Sequence, residues 1–168
     1  GNTVLALWAD EGDINVTMTN ALLNDTHGNE MYALGNINVQ FTGVDITNCS
    51  GKALYALASE GGAAVTLEDM YVAASWGDAV YVEANQTVDL AVNSAEFNEI
   101  GDYGFYLESY TGDVSVDLQM VTLSNIYDSA ISLSSTEGTV SIQIQDSEME
   151  MIGGGAIEAS AGNGISII

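Results

Sequence analysis

The 168-residue sequence predicts an all-β fold, a solenoid of about six and a half coils of ~26 residues with three short strands in each coil. Three observations predict it: three registers that share one period, period-two alternation inside each segment, and turn glycines in a chain without proline.

The first register holds Met31-Tyr32-Ala33, Leu54-Tyr55-Ala56, Val80-Tyr81-Val82, Phe105-Tyr106-Leu107, Ile131-Ser132-Leu133 and Ile157-Glu158-Ala159. Their first members lie 23, 26, 25, 26 and 26 residues apart, and Val4-Leu5 begins the same segment at the start of the chain. The second register starts at Ile14, Ile37, Ala63, Val88, Val114, Val140 and Ile165, with spacings of 23, 26, 25, 26, 26 and 25. The third pairs Val44 with Ile46, Met70 with Val72, Ala95 with Phe97, Val121 with Leu123 and, most weakly, Ser147 with Met149. Alternation of this kind marks strands with one buried face. Three short strands cannot enclose a core alone, whereas stacked repeats bury a continuous one. Gly12, Gly28, Gly51, Gly77, Gly101, Gly112, Gly138 and Gly153 mark the turns. The absence of proline fits strands that are all central, each N–H donating to a neighbouring coil. Residues 1–168 read as one domain.

With these repeats and inward aliphatic stacks, the chain resembles the right-handed, single-stranded parallel β-helix proteins over nearly its whole length. The resemblance implies a fold and leaves function open, because such proteins include pectin-degrading enzymes, phage tailspikes, adhesins and repeat-built surface proteins of bacteria and archaea. The repeat-built surface proteins are the most similar in character.

Composition narrows the partners. Twenty-four Asp and Glu face one basic side chain, Lys52, for a net charge of −23 and a pI near 4.1. Nucleic acid and anionic membranes are excluded as partners, since both demand Lys and Arg in quantity. Disorder is excluded by a 47% hydrophobic content. No apolar run reaches the roughly 18 residues of a membrane span. Beginning at Gly1 suggests a processed mature chain or an excised domain.

Inward positions account for most aliphatic residues, so functional expectations rest on outward ones. On the first strand these read Leu5, Tyr32, Tyr55, Tyr81 and Tyr106, then Leu7, Leu34 and Leu57 two residues further on. An apolar stripe of that extent has three uses: a lateral contact with another subunit, a tyrosine ladder stacked for stability, or a platform for sugars. The turn before the first strand brings Asp78, Asp102 and Asp128 onto consecutive coils, where calcium or another hard cation would relieve their repulsion. Asn15, Asn24, Asn48 and Asn85 begin Asn-x-Ser/Thr triplets, acceptors for glycans in an exported chain. Cys49 falls in register with inward Ser75, Ile100, Ile126 and Ile152 and reads as a buried thiol, while His27 reads as a solvent-facing turn residue.

Catalysis is not expected. The resemblance implies arginine and lysine around calcium in lyases, and clustered aspartates with basic motifs in polygalacturonases; this chain has no arginine and none of those motifs. Its near-constant coil length also leaves no loops to wall a cleft. Uncapped ends, with Val4, Ile14 and Val16 at one and Ile165, Ile167 and Ile168 at the other, predict end-to-end addition of copies. The expectation is therefore a structural, self-assembling extracellular protein, a homopolymeric sheath, filament or surface layer that needs cations and no other cofactor. The alternative is an adhesin-like rod that binds glycans on its tyrosines.

Overall fold

The structure, a computed structural model, describes residues 2–168. Strands stack in seven successive turns of chain. The first turn holds β1 (Asn2–Ala9) and β2 (Ile14–Asn24); the second holds β3 (Thr26–Ala33) and β4 (Ile37–Cys49). The third holds β5 (Leu54–Ala58), β6 (Ala63–Glu68) and β7 (Tyr71–Ser75). The fourth holds β8 (Val80–Ala84) and β9 (Val88–Ile100), and the fifth β10 (Phe105–Ser109) and β11 (Val114–Ile126). The sixth holds β12 (Ile131–Ser135), β13 (Thr139–Gln145) and β14 (Glu148–Ile152), and a partial seventh β15 (Ile157–Ala161) and β16 (Gly164–Ile167). All pairing is parallel, in a seven-stranded sheet β1-β3-β5-β8-β10-β12-β15 and a nine-stranded sheet that carries the rest. The fold is a parallel β-solenoid of about six turns, with no helix among the described residues.

The second and third strands usually run on as one bent strand, and the bends have a specific cause. Asn20, Gly43, Asp69, Ser94, Met120 and Asp146 form one corner column, and Asp25, Asn48, Ala74, Glu99, Asn125 and Met151 another. All twelve have φ between 50° and 61°. One left-handed residue turns the chain at a corner without consuming a longer loop, and Asn, Asp and Gly tolerate that conformation best. Met120 does not, and it is 49% exposed, so its side chain has little packing to lose. Met120→Asn is expected to raise unfolding stability by about 0.5–1 kcal/mol in urea titration; a loss would show that the Met120 side chain supports the corner.

The core is one continuous column between the sheets. It is filled by Ile37, Phe41, Ile46, Leu54, Leu67, Leu90, Phe97, Phe105 and Leu118, all buried. Phe97 and Phe105 meet edge to face at 4.8 Å. Turns stay short because backbones pass in contact: a Cβ on Gly61 would strike the Gly35 carbonyl. Cys49 is buried in the predicted column with Ser75, Ile100, Ile126 and Ile152.

The second and third registers stand as expected from the sequence, but the first does not in the early coils. Leu7 pairs with Met31 and Trp8 with Tyr32, so Leu5 and Leu7 pack against the core and Val4 faces out, 46% exposed. The expectation that Leu5 and Leu7 line a lateral face is thus corrected. The slip is three residues, and an odd slip exchanges the two faces of a strand. Burying two leucines and stacking Trp8 on Tyr32 decides it. Next, Met31 pairs with Ala56 and Tyr32 with Leu57, while Tyr55 lies beside Glu30. This slip of two preserves the outward face of every tyrosine.

Candidate functional site

The outward side of the first sheet is the most elaborate surface of the rod. Trp8 and Tyr32 stack at 5.1 Å and 10°. Tyr32 then meets Tyr55 diagonally at 5.2 Å and 66°, and Tyr55 meets Tyr81 at 5.1 Å and 45°. Tyr81 and Tyr106 stack at 4.7 Å and 9°. These separations match the ~4.8 Å rise between hydrogen-bonded strands, so neighbouring rings contact one another along the rod, face to face only in the Trp8–Tyr32 and Tyr81–Tyr106 pairs. Their hydroxyls are engaged too: Tyr81 donates to Glu83 at 3.2 Å, Tyr106 to Glu108 at 2.9 Å and Tyr110 to Glu83 at 2.7 Å. Leu57 is half-buried beside the ladder and Leu34 is 36% exposed at the strand end.

Lys52 completes the ladder. Its ammonium lies over the Tyr81 ring, 3.7 Å from the ring centre, and 5.8 Å from that of Tyr55. It also pairs with Asp78, a carboxylate only 1% exposed. Asp78 in turn accepts the Tyr103 N–H at 3.1 Å. A depression of about 320 Å³ beside Lys52 is lined by His27, Glu30, Tyr32, Tyr55 and Tyr81. His27 is exposed, lies in β3 rather than a turn, and contacts Ser50 Oγ at 3.1 Å.

Burial first, and then the neighbouring charges and hydroxyls, push the Tyr55 and Tyr106 hydroxyls up to about 12 from an ordinary 10, and raise Tyr81 further still. The bond to Glu83 is the main cause that lifts Tyr110 to about 12. An acid held above its unfolded value keeps its stabilising contribution below pH 10 and loses it between pH 10 and 12. Tyr103 is raised as well, chiefly by Asp128, so alkaline titration of tyrosinate absorbance should show five of the eight tyrosines ionising late, together with loss of the β-sheet circular dichroism signal. Eight tyrosines ionising near pH 10 with the sheet intact would contradict this.

The expected aspartate stack forms only in part. Tyr103, not Asp102, occupies the level after Asp78, because Val80 pairs with Phe105 at a 25-residue step. Asp102 is nonetheless raised, chiefly by burial and then by Asp78 and Asp128. With Asp78 committed to Lys52, only Asp102 and Asp128 of the three are placed for a cation. No group of three or more His, Cys, Asp or Glu among the described residues is arranged to hold a metal ion.

The end positions also divide. Ile165, Ile167 and Ile168 are 49%, 57% and 81% exposed, and Val16 is half-buried. Ile14, expected at an end contact, is 7% exposed beneath the second coil and offers a neighbour only its backbone. Of the acceptor asparagines, Asn15, Asn24 and Asn48 are exposed and Asn85 is half-buried. Asn15 accepts from Asn38 at 2.9 Å, and Asn24 from Thr47 at 2.8 Å and Asn48 at 3.0 Å, extending polar ladders along the corners. Trp8, Trp76 and Tyr127 were not among the expected site residues. For Trp76 and Tyr127 the available signal is the alternation Trp76, Gly101, Tyr127, Gly153 at one step per coil.

Comparison with protein-family models, with curated proteins and with solved structures returns no match to this chain.

Proposed function

We propose that this chain is a structural, self-assembling extracellular protein, a subunit of a sheath, filament or surface layer. The observation that carries the reading is the constancy of the coil. Each of the central coils repeats the same section with short turns, so the described rod has a flat, continuous wall with no loops raised around a cleft. A section that repeats along its own axis is also complementary to itself. β1 and β2 at one end, and β15 and β16 at the other, carry the same two parallel edges, and parallel edges add strands. Lateral contact would use what remains outward on the first sheet, chiefly Trp8, Tyr32 and Leu34. Three exposed acceptor asparagines and a single tryptic site agree with an exported coat.

A net charge of −23 per copy opposes assembly, so polymers require calcium or other cations gathered over the acidic surface. Negative-stain microscopy of the purified chain tests the proposal: ordered polymers are expected in calcium and shorter ones after chelation and desalting. Monomers in every condition would overturn it, and monomers that bind oligosaccharides would assign the rod to glycan recognition. The ring geometry weighs against that second role, because Tyr81 already stacks on Tyr106 and has the Lys52 ammonium over its ring.

A further inference from the structure

Two of the most exposed side chains are aromatic and lie outside the ladder: Trp76 at 82% and Tyr127 at 81%. Ser75, Ile100, Ile126 and Ile152 are partners on consecutive coils, so the residues that follow them, Trp76, Gly101, Tyr127 and Gly153, form one column along a corner. The column is tied together by Gly101 N–H to Ser75 (2.7 Å), Tyr127 N–H to Ile100 (2.9 Å) and Gly153 N–H to Ile126 (2.8 Å). It reads ring, gap, ring, gap, and both glycines are exposed. Two coils of ~4.8 Å separate the rings by about 10 Å, so the empty level between them is one ring thick. The Trp8–Tyr32 and Tyr81–Tyr106 pairs show rings stacking at that interval, 5.1 and 4.7 Å.

We propose that this corner is a contact between two copies of the chain, related by a two-fold axis perpendicular to the rod and midway between the levels of Gly101 and Tyr127. That operation reverses the order of the coils. Tyr127 of the second copy then enters above Gly101, and Trp76 of the second copy enters above Gly153. The result is one ladder of four rings: Trp76, the second copy's Tyr127, Tyr127, and the second copy's Trp76. The same patch serves both copies, as a closed isologous pair requires. A sugar ring would fill one gap; a second copy uses all four levels.

Four rings of ~150–250 Å² each cover roughly 600–1,000 Å², below the ~1,200 Å² of a stable standard interface. The pair is accordingly weak alone, and it is independent of the end-to-end addition proposed above. Asp102 and Asp128 flank the column, and the two-fold sets Asp102 near Asp128 of the second copy. Divalent cations or high salt therefore strengthen the contact.

The test uses the full chain carrying Trp8→Phe, which leaves Trp76 as its single tryptophan. In calcium, Trp76 emission should shift to the blue as concentration rises, in step with a doubling of the mass per unit length of the polymers. Trp76→Ala and Tyr127→Ala should each weaken that association by about tenfold or more, with circular dichroism and polymer length unchanged. Copies with Asp102→Cys mixed with copies with Asp128→Cys should form the mixed disulfide in preference to either homodimer. Concentration-independent emission, alanine variants that associate like the parent, or absence of the mixed disulfide would overturn the pair. Trp76 emission that answers to an added oligosaccharide and not to protein concentration would also overturn it, in favour of a glycan site.

Discussion

Phe97→Ala is expected to lower the unfolding free energy by about 3–5 kcal/mol, among the largest effects available to one substitution in this chain. Phe97 is fully buried in the third strand of its coil, with Val72 and Leu123 on the adjacent coils and Phe105 against its edge. Strands held at ~4.8 Å by continuous hydrogen bonding cannot close over the space a ring leaves, so most of the cavity persists. Urea unfolding followed by circular dichroism measures the loss. Phe97→Leu should recover a large part of it, and a cost below about 1 kcal/mol for alanine would mean the interior collapses more freely than its ladders suggest.

Lys52→Met should cost roughly 3–5 kcal/mol at neutral pH, because it strips the partner from a carboxylate that is 1% exposed. Asp78 would keep only the Tyr103 N–H, and Tyr81 would lose the cation over its ring. Two contributions therefore point the same way, although the exposed part of the lysine moderates both. The double variant Lys52→Met/Asp78→Asn separates them: it should restore most of the stability, since it removes the buried charge with its partner. A double variant as unstable as the single one would place the effect in the ring contact.

Sheet register was legible where residue types alternate and silent where they do not. In the second register, apolar and polar residues trade places cleanly, as in Val114-Ser115-Val116-Asp117-Leu118, and the observed pairing follows the spacing. Val4-Leu5-Ala6-Leu7-Trp8-Ala9 has no polar residue at all, so nothing local states which face is buried. The burial of Leu5 and Leu7 and the fit of Trp8 onto Tyr32 choose together. The match of Tyr32 with Tyr55 failed for another reason: Leu54 to Ala58 alternates well in two registers, and a two-residue slip leaves the faces unchanged. The corner bends were half visible. Asn20, Gly43, Asp69 and Asp146 carry the expected residue types at constant phase, while Met120 and Ala74 carry none. The pairing of Lys52 with Asp78 could have been read from one positive residue placed one coil before an acid. The burial of that acid could not, since it depends on the turn closing over it.

Because each central turn of chain meets the next through the same section, each such coil is a module of about 26 residues whose removal or duplication leaves two matching faces. The length of such a rod is thus set by how many times the gene repeats a unit. A lineage could lengthen or shorten it in steps of ~4.8 Å without redesigning a core. Only features that span particular neighbours, such as the Phe97–Phe105 contact and the Lys52–Asp78 pair, resist that copying. They identify the coils whose order has become individual.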